Sequence, residues 1–254
     1  MSFEHIRTDV TDGVATIVLN REPLNILNIA MMEEINTALQ DFMNQHLKVL
    51  VFRAEGKSFS GGVDVGEHMG DLAPKMIEAF HAMFRNMDKL GVPSIAVVNG
   101  AALGGGCELA VYCDMVIASE KAKIGQPEIQ VGVFPPIAAL VFPRIMGRKK
   151  AMELILSGDV IKAREAKELG LVNEVVAPEE LEEKAQQFIQ KFTGLSGVVL
   201  KHTRQAILTG IEDEQERILH KIEDLYLNKL MATEDAMEGL DAFLNKRKPV
   251  WKER

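Results

Sequence analysis

Apolar and polar positions alternate over residues 3–10 and again over 13–20, with Thr11-Asp12-Gly13 between them. That pattern predicts two strands joined as a hairpin. The period then changes. Asn28 stands as an N-cap ahead of a helix over about 29–45, with Met32, Ile35, Leu39 and Phe42 on one face. Val49 to Arg53 is apolar enough for a short buried strand. Residues 73–89 return to a helical period, with Met76, Ile77, Phe80, Met83, Phe84 and Met87 apolar. A methionine-rich stripe of this kind is ordinary core packing. Short strands follow at Ile95–Val98 and Met115–Ala118, with a short helix over Cys107–Tyr112 between them. Pro136 suits the first turn of another helix.

From Gly147 onward the pattern is helical: about 148–156, 163–168, 178–193, 196–209, 212–230 and 233–246. Ser157-Gly158-Asp159 and Gly170 mark turns, and Leu171 to Val176 reads as one extended piece. Strands first and helices last predict an α/β core over 1–194 and a helical C-terminal region over 195–254.

The stretch with chemical content is Val97–Asp114, VVNGAALGGGCELAVYCD. A strand, a glycine turn at Gly104-Gly105-Gly106 and a helix start leave bare backbone N–H groups at a positive helix end. Such a pocket suits a developing oxyanion. Glu108 in the first turn is accounted for, taken alone, as a dipole partner. The next loop, IGQPEIQVG, supplies a second carboxylate, Glu128, behind a Gln-Pro step. Two carboxylates beside an N–H pocket outline general acid/base chemistry. At neutral pH one of them needs a raised pKa, from burial or from its partner. SFSGGVD, which contains Val63, reads locally as a loop. Asp114 reads as a partner for backbone donors or a neighbouring base.

Composition narrows the class. The chain has 254 residues, 47% hydrophobic and 26% charged, as expected of a soluble globular protein. A formal charge of −8 argues against nucleic acid as the main partner. No apolar run reaches the ~18 residues of a membrane span, and the N-terminus has no secretory pattern. The spacing of Cys107 and Cys113 fits neither a disulfide framework nor zinc, so both read as buried apolar residues in a reducing cytoplasm. His68 and His81 lack metal-ligand spacing and read as packing or surface residues. Fingerprints for dinucleotides, a P-loop, a G-x-S-x-G nucleophile and HExxH are absent from the sequence, so neither metal nor cofactor is expected.

GGGCELAVYCD followed by GQPE resembles the enoyl-CoA hydratase/isomerase (crotonase) superfamily, and the similarity runs from GVATIVLNREPLNILN to the C-terminal FLNKRKPVWKER. The resemblance implies a spiral of ββα units, although no repeat is visible in the sequence, and a homotrimer or dimer of trimers built through the C-terminal helices. It implies an acyl-CoA thioester as substrate, with CoA part of that substrate rather than a cofactor. It places the oxyanion donors on the backbone of Val63 and Gly105, and sets helix 73–89 beside the acyl pocket. It places Glu108 and Glu128 on the hydratase glutamates, with Glu128 protonating carbon and Glu108 activating water. It matches Lys57, Phe243 and Lys246 to positions that reach CoA; a second familiar lysine position is Gly66 here.

Two departures are notable. Val63 stands where many relatives carry Ala, and Pro135-Pro136-Ile137-Ala138-Ala139 replaces a glycine-rich segment. The latter stretch resembles the cyclohexa-1,5-diene-1-carbonyl-CoA hydratases of anaerobic aromatic degradation, which implies a flat cyclic dienoyl-CoA. A general short-chain enoyl-CoA hydratase and an enoyl-CoA isomerase are the alternatives within the superfamily. A non-catalytic RNA-binding protein is the alternative outside that chemistry; the acidic charge and the glutamate pair weigh against it.

Overall fold

The computed structural model describes residues 3–211 and 215–251. The chain opens with the expected antiparallel hairpin, β1 (Ile6–Thr11) and β2 (Val14–Leu19). Asp12 (φ 53°) and Gly13 (φ 81°) turn it. Positive φ at both positions gives a turn whose twist matches that of the paired strands. α1 (Ile29–Phe42) starts where Asn28 accepts the Met31 N–H at 3.1 Å.

Three units of one plan follow. They are β3 (Val49–Ala54), β4 (Ser58–Ser60) and α2 (Leu72–Leu90), then β5 (Ser94–Val98), β6 (Ala101–Leu103) and α3 (Gly105–Tyr112). The third is β7 (Met115–Ser119), β8 (Lys123–Gly125), a 3-10 turn over Pro127–Val131 and α4 (Pro136–Met146). In each unit the first strand joins a six-stranded sheet, ordered β1-β2-β3-β5-β7-β10 with β10 at Glu174–Val176, and the second a four-stranded sheet, ordered β4-β6-β8-β9 with β9 at Val160–Lys162. Successive units pair in parallel in both sheets. This is the ββα spiral.

The remainder is α5 (Arg148–Ser157), β9 (Val160–Lys162), α6 (Ala163–Glu168), β10 (Glu174–Val176), α7 (Leu181–Thr193), α8 (Gly197–Ile211), α9 (Gln215–Leu225) and α10 (Glu234–Leu244). α9 runs into a π-helical turn over Tyr226–Leu230. The start of the helix expected over 212–230 lies outside the described residues.

β3, β5 and β7 are covered on both faces. Leu50, Phe52, Ala96 and Val98 enter the main core, while Val51, Ile95, Val97 and Ile117 pack under Leu181, Ala185 and Ile189 of α7. Double-sided burial explains why these strands read as unbroken apolar runs.

The structure corrects the sequence reading in three places. β4, β6, β8 and β9 were not expected; strands of three residues are too short for alternation to show. Glu128 lies in a 3-10 turn rather than an open loop. The part after Gly147 is not purely helical: β9 closes the smaller sheet and β10, inside the expected 171–176 piece, closes the larger.

The C-terminal helices return to the core. α9 packs on α4, and α10 packs on the Pro127–Val131 turn and on a second 3-10 turn, Val65–His68. Asp114 is a structural acceptor as expected, taking the Ser94 N–H (2.8 Å) and Arg204 Nε (2.8 Å). Among the described residues no helix is long and apolar enough to cross a membrane.

Candidate active site

The site begins at the corner between β6 and α3. Gly104 has φ 51° and ψ −130°. A Cβ on it would lie 2.8 Å from Glu128 Oε1. Glycine is therefore needed twice over, for the backbone angle and for the approach of the carboxylate. Gly105 is the first residue of α3, where backbone N–H groups have no acceptor within the helix.

Val63 faces Gly105. Its segment pairs with Leu27: Gly62 O accepts the Leu27 N–H at 2.9 Å, and Leu27 O accepts the Asp64 N–H at 3.0 Å. By strand alternation the Val63 N–H points away from Leu27. An ideal Cβ on Gly105 would sit 2.6 Å from Val63 Cγ2, so the two residues are immediate neighbours.

Glu108 is buried, 2% exposed, and its Oε1 accepts the Ala138 N–H at 2.8 Å. The Ile137 N–H also favours the ionised form of this carboxyl. Both donors belong to the first turn of α4, which Pro136 opens. Burial raises the pKa of Glu108, and the two N–H groups hold it back. Glu128 is pushed well above the usual carboxylate range, first by burial and then by the charge of Glu108. The two carboxyls therefore differ: the N–H donors favour ionisation at Glu108, and the charge of Glu108 favours a proton on Glu128. The buried Gln126 amide, with its nitrogen turned toward Glu128, donates to both carboxyl oxygens at 3.1 Å and to Gly104 O at 3.3 Å.

Glu108, Glu128, Val63 and Gly105 line one cavity of about 350 Å³. Its apolar wall includes Met76, Ile77 and Phe80 of α2 together with Phe134, Pro135 and Pro136. The rest of the α2 stripe, Met83, Phe84 and Met87, is core. His68 also lines the cavity, and its Nδ1 donates to Asp64 O at 2.9 Å. His81 is buried elsewhere, 2.6 Å from Glu223 through Nδ1.

The C-terminal helices add Tyr226, Leu240 and Phe243, so the cavity draws on both sides of the 194/195 division. Lys246 lies three residues beyond Phe243, exposed, just after α10. Lys57 is not among the residues lining this cavity; it lines a separate cleft with Lys121 and Lys123.

The sequence reading assigns neither His68 nor Tyr226 to the cavity, nor Gln126 to the Glu128 carboxyl beside it. No local pattern marks Gln126 or Tyr226, because each gains its place from a distant contact. Cys107 and Cys113 are buried and free, as expected. Among the described residues no cluster of three His, Cys, Asp or Glu side chains could hold a metal.

The enoyl-CoA hydratase/isomerase family matches residues 9–254. A "Probable enoyl-CoA hydratase" of Rhizobium meliloti (strain 1021) is 38% identical over 258 residues, covering all of both chains. A "Cyclohexa-1,5-dienecarbonyl-CoA hydratase" of Thauera aromatica is 35% identical over 237 residues, 93% of this chain and 92% of that one. Among solved structures, an enoyl-CoA hydratase from Mycobacterium avium subsp. paratuberculosis K-10 superposes with a TM-score of 0.89 at 27% identity, covering 99% of this chain and 100% of that one.

Proposed function

Because this chain belongs to the enoyl-CoA hydratase/isomerase family and is a hydro-lyase of the enoyl-CoA hydratase type, we propose that Glu108 and Glu128 handle the water and the proton, and that Val63 N–H and Gly105 N–H hold the thioester oxygen. The observation that carries this reading is the convergence of all four groups on one cavity.

The thioester carbonyl enters between the two N–H groups. Glu108, ionised, takes a proton from water as the oxygen bonds to the β-carbon. The π electrons move toward the carbonyl, and the two donors stabilise the resulting enolate. A single donor of this type contributes ~3–4 kcal/mol in other enzymes. Glu128 then gives its proton to the carbon that carries the delocalised charge. Proton transfer from Glu108 back to Glu128 restores the site. No group beyond the CoA of the substrate takes part.

We assign the acyl group as a cyclic dienoyl, cyclohexa-1,5-diene-1-carbonyl-CoA. The support is a wall of Phe80, Phe134, Pro135 and Pro136, rigid groups that suit a flat ring, together with the Thauera aromatica relative. For the CoA tail, Phe243 stands at the cavity and Lys246 follows it. Lys57 supplies a cation only from its separate cleft. Raised KM in Lys246→Ala with unchanged KM in Lys57→Ala would separate the two. Leu195, Val198, Val199 and Ile207 are exposed on and beside α8, which supports assembly of a homotrimer or dimer of trimers through region 195–254.

The test follows the conjugated thioester absorbance with the cyclic diene and with crotonyl-CoA, using Glu128→Gln as control. Fast loss with the cyclic diene alone, abolished in the variant, is expected. Faster turnover of crotonyl-CoA would make this a general short-chain hydratase. No hydration of either would move the reading to isomerisation or, with salt-sensitive RNA retention, to binding.

A further inference from the structure

Tyr226 is only 1% exposed, and its hydroxyl has no hydrogen-bond partner among the described residues. It nevertheless lines the cavity that holds Glu108 and Glu128. A buried, unsatisfied hydroxyl is destabilising, and phenylalanine would fill the same space without that cost. The hydroxyl is therefore explained by a polar atom that arrives with the substrate.

We propose that the Tyr226 hydroxyl donates a hydrogen bond to the oxygen that is added to the substrate, the water before reaction and the product hydroxyl after it. This rests on the hydratase reading above. The reacting part of an enoyl thioester offers two oxygens. The carbonyl oxygen belongs to Val63 N–H and Gly105 N–H. The water oxygen gives one proton to Glu108 and one lone pair to carbon, which leaves a lone pair free for Tyr226. In dehydration the same donor sits on the departing oxygen.

The surroundings keep the group in place and protonated. Its ring stands edge-on to Phe134, centroids 5.2 Å apart at 79°. Burial, and after it the negative charge carried by the glutamate pair, disfavour the phenolate, so the hydroxyl stays a donor. α9, which delivers Tyr226, is tied to α2 by Glu223, bound by His81 Nδ1 (2.6 Å) and Arg85 (2.7 Å). Tyr226 opens the π-helical turn that follows; such turns are frequent at functional sites.

The test compares two reactions in Tyr226→Phe. Hydration of the preferred enoyl-CoA should lose about 10- to 100-fold in kcat, with KM changed by less than about threefold. Exchange of the α-hydrogen of a saturated acyl-CoA with D2O uses the oxyanion donors and Glu128 but adds no oxygen. It should stay within about twofold of wild type. Unchanged hydration would overturn the proposal. Equal loss of hydration and exchange would also overturn it, because Tyr226 would then only support the fold of the site. Failure of the wild-type protein to hydrate any enoyl-CoA would remove the reading beneath the proposal, a result visible before any variant is made.

Discussion

Glu108 is bound to the backbone of Ala138: its Oε1 accepts the Ala138 N–H at 2.8 Å. This joins the first turn of α3 to the first turn of α4, and it gives the Pro135-Pro136 segment a function beyond bulk. Pro136 starts α4 with its angle preset, so the Ile137 and Ala138 N–H groups point at the carboxylate. They favour the ionised form of Glu108, while burial and the charge of Glu108 favour a proton on Glu128.

A bell-shaped pH profile follows from that division of labour. Glu108 must be ionised to accept a proton from water, and its pKa is raised by burial. The acid limb of kcat/KM should therefore lie well above the ~4.3 of an ordinary glutamate. Glu128 must be protonated, so activity should fall again as pH rises through its still higher pKa. A rate profile with its acid limb near 4 would contradict the assignment.

The same shifts make the site a stability cost in alkali. A carboxyl whose folded pKa lies above its unfolded value binds more protons when folded. Its contribution is favourable at low pH and is lost as pH rises through the folded pKa. Glu128→Gln should match wild type near pH 5 and exceed it by about 1–2 kcal/mol near pH 9. Urea unfolding at the two pH values would measure this.

Gly104→Ala should damage both fold and catalysis. Its φ of 51° is strained for any side chain, and the Cβ would meet Glu128 Oε1 at 2.8 Å. A stability loss of about 1–3 kcal/mol is expected. Displacement of Glu128 by even a fraction of its present approach should lower kcat by about 100-fold. Thermal melting and the hydration assay would report the two effects separately.

Glu223→Gln should loosen α9 from α2. The pKa of Glu223 is lowered to about 2 by hydrogen bonds from His81 and Arg85, against the opposing effect of burial. A depressed carboxylate contributes stability above its unfolded pKa and loses it as pH falls through the folded one. The variant should be less stable by about 1–3 kcal/mol at pH 7. The gap should narrow below the ordinary carboxylate range and close near pH 2. A gap independent of pH would show that packing, not charge, is responsible.

The sequence by itself determined the long elements and the chemistry that sits on them. The hairpin turned at Asp12-Gly13, α1 with its Asn28 cap, and the amphipathic α2 are all set by neighbours within a few residues. Glu108 and Glu128 were recognisable for the same reason: each lies in a short motif whose glycines and proline are themselves local signals. Tertiary structure alone decided the rest. The four strands of the smaller sheet have three residues each and exist only because their neighbours pair with them. Lys57, adjacent in sequence to the β4 strand before Val63, opens on another cleft. The Ala138 N–H reaches Glu108 only once α4 has packed on α3, and Tyr226 joins the wall of the cavity only once α9 has packed on α4. Local propensity acts over one or two turns of chain, whereas a cavity is made where surfaces distant in sequence bury one another, and no periodicity encodes which surfaces those are.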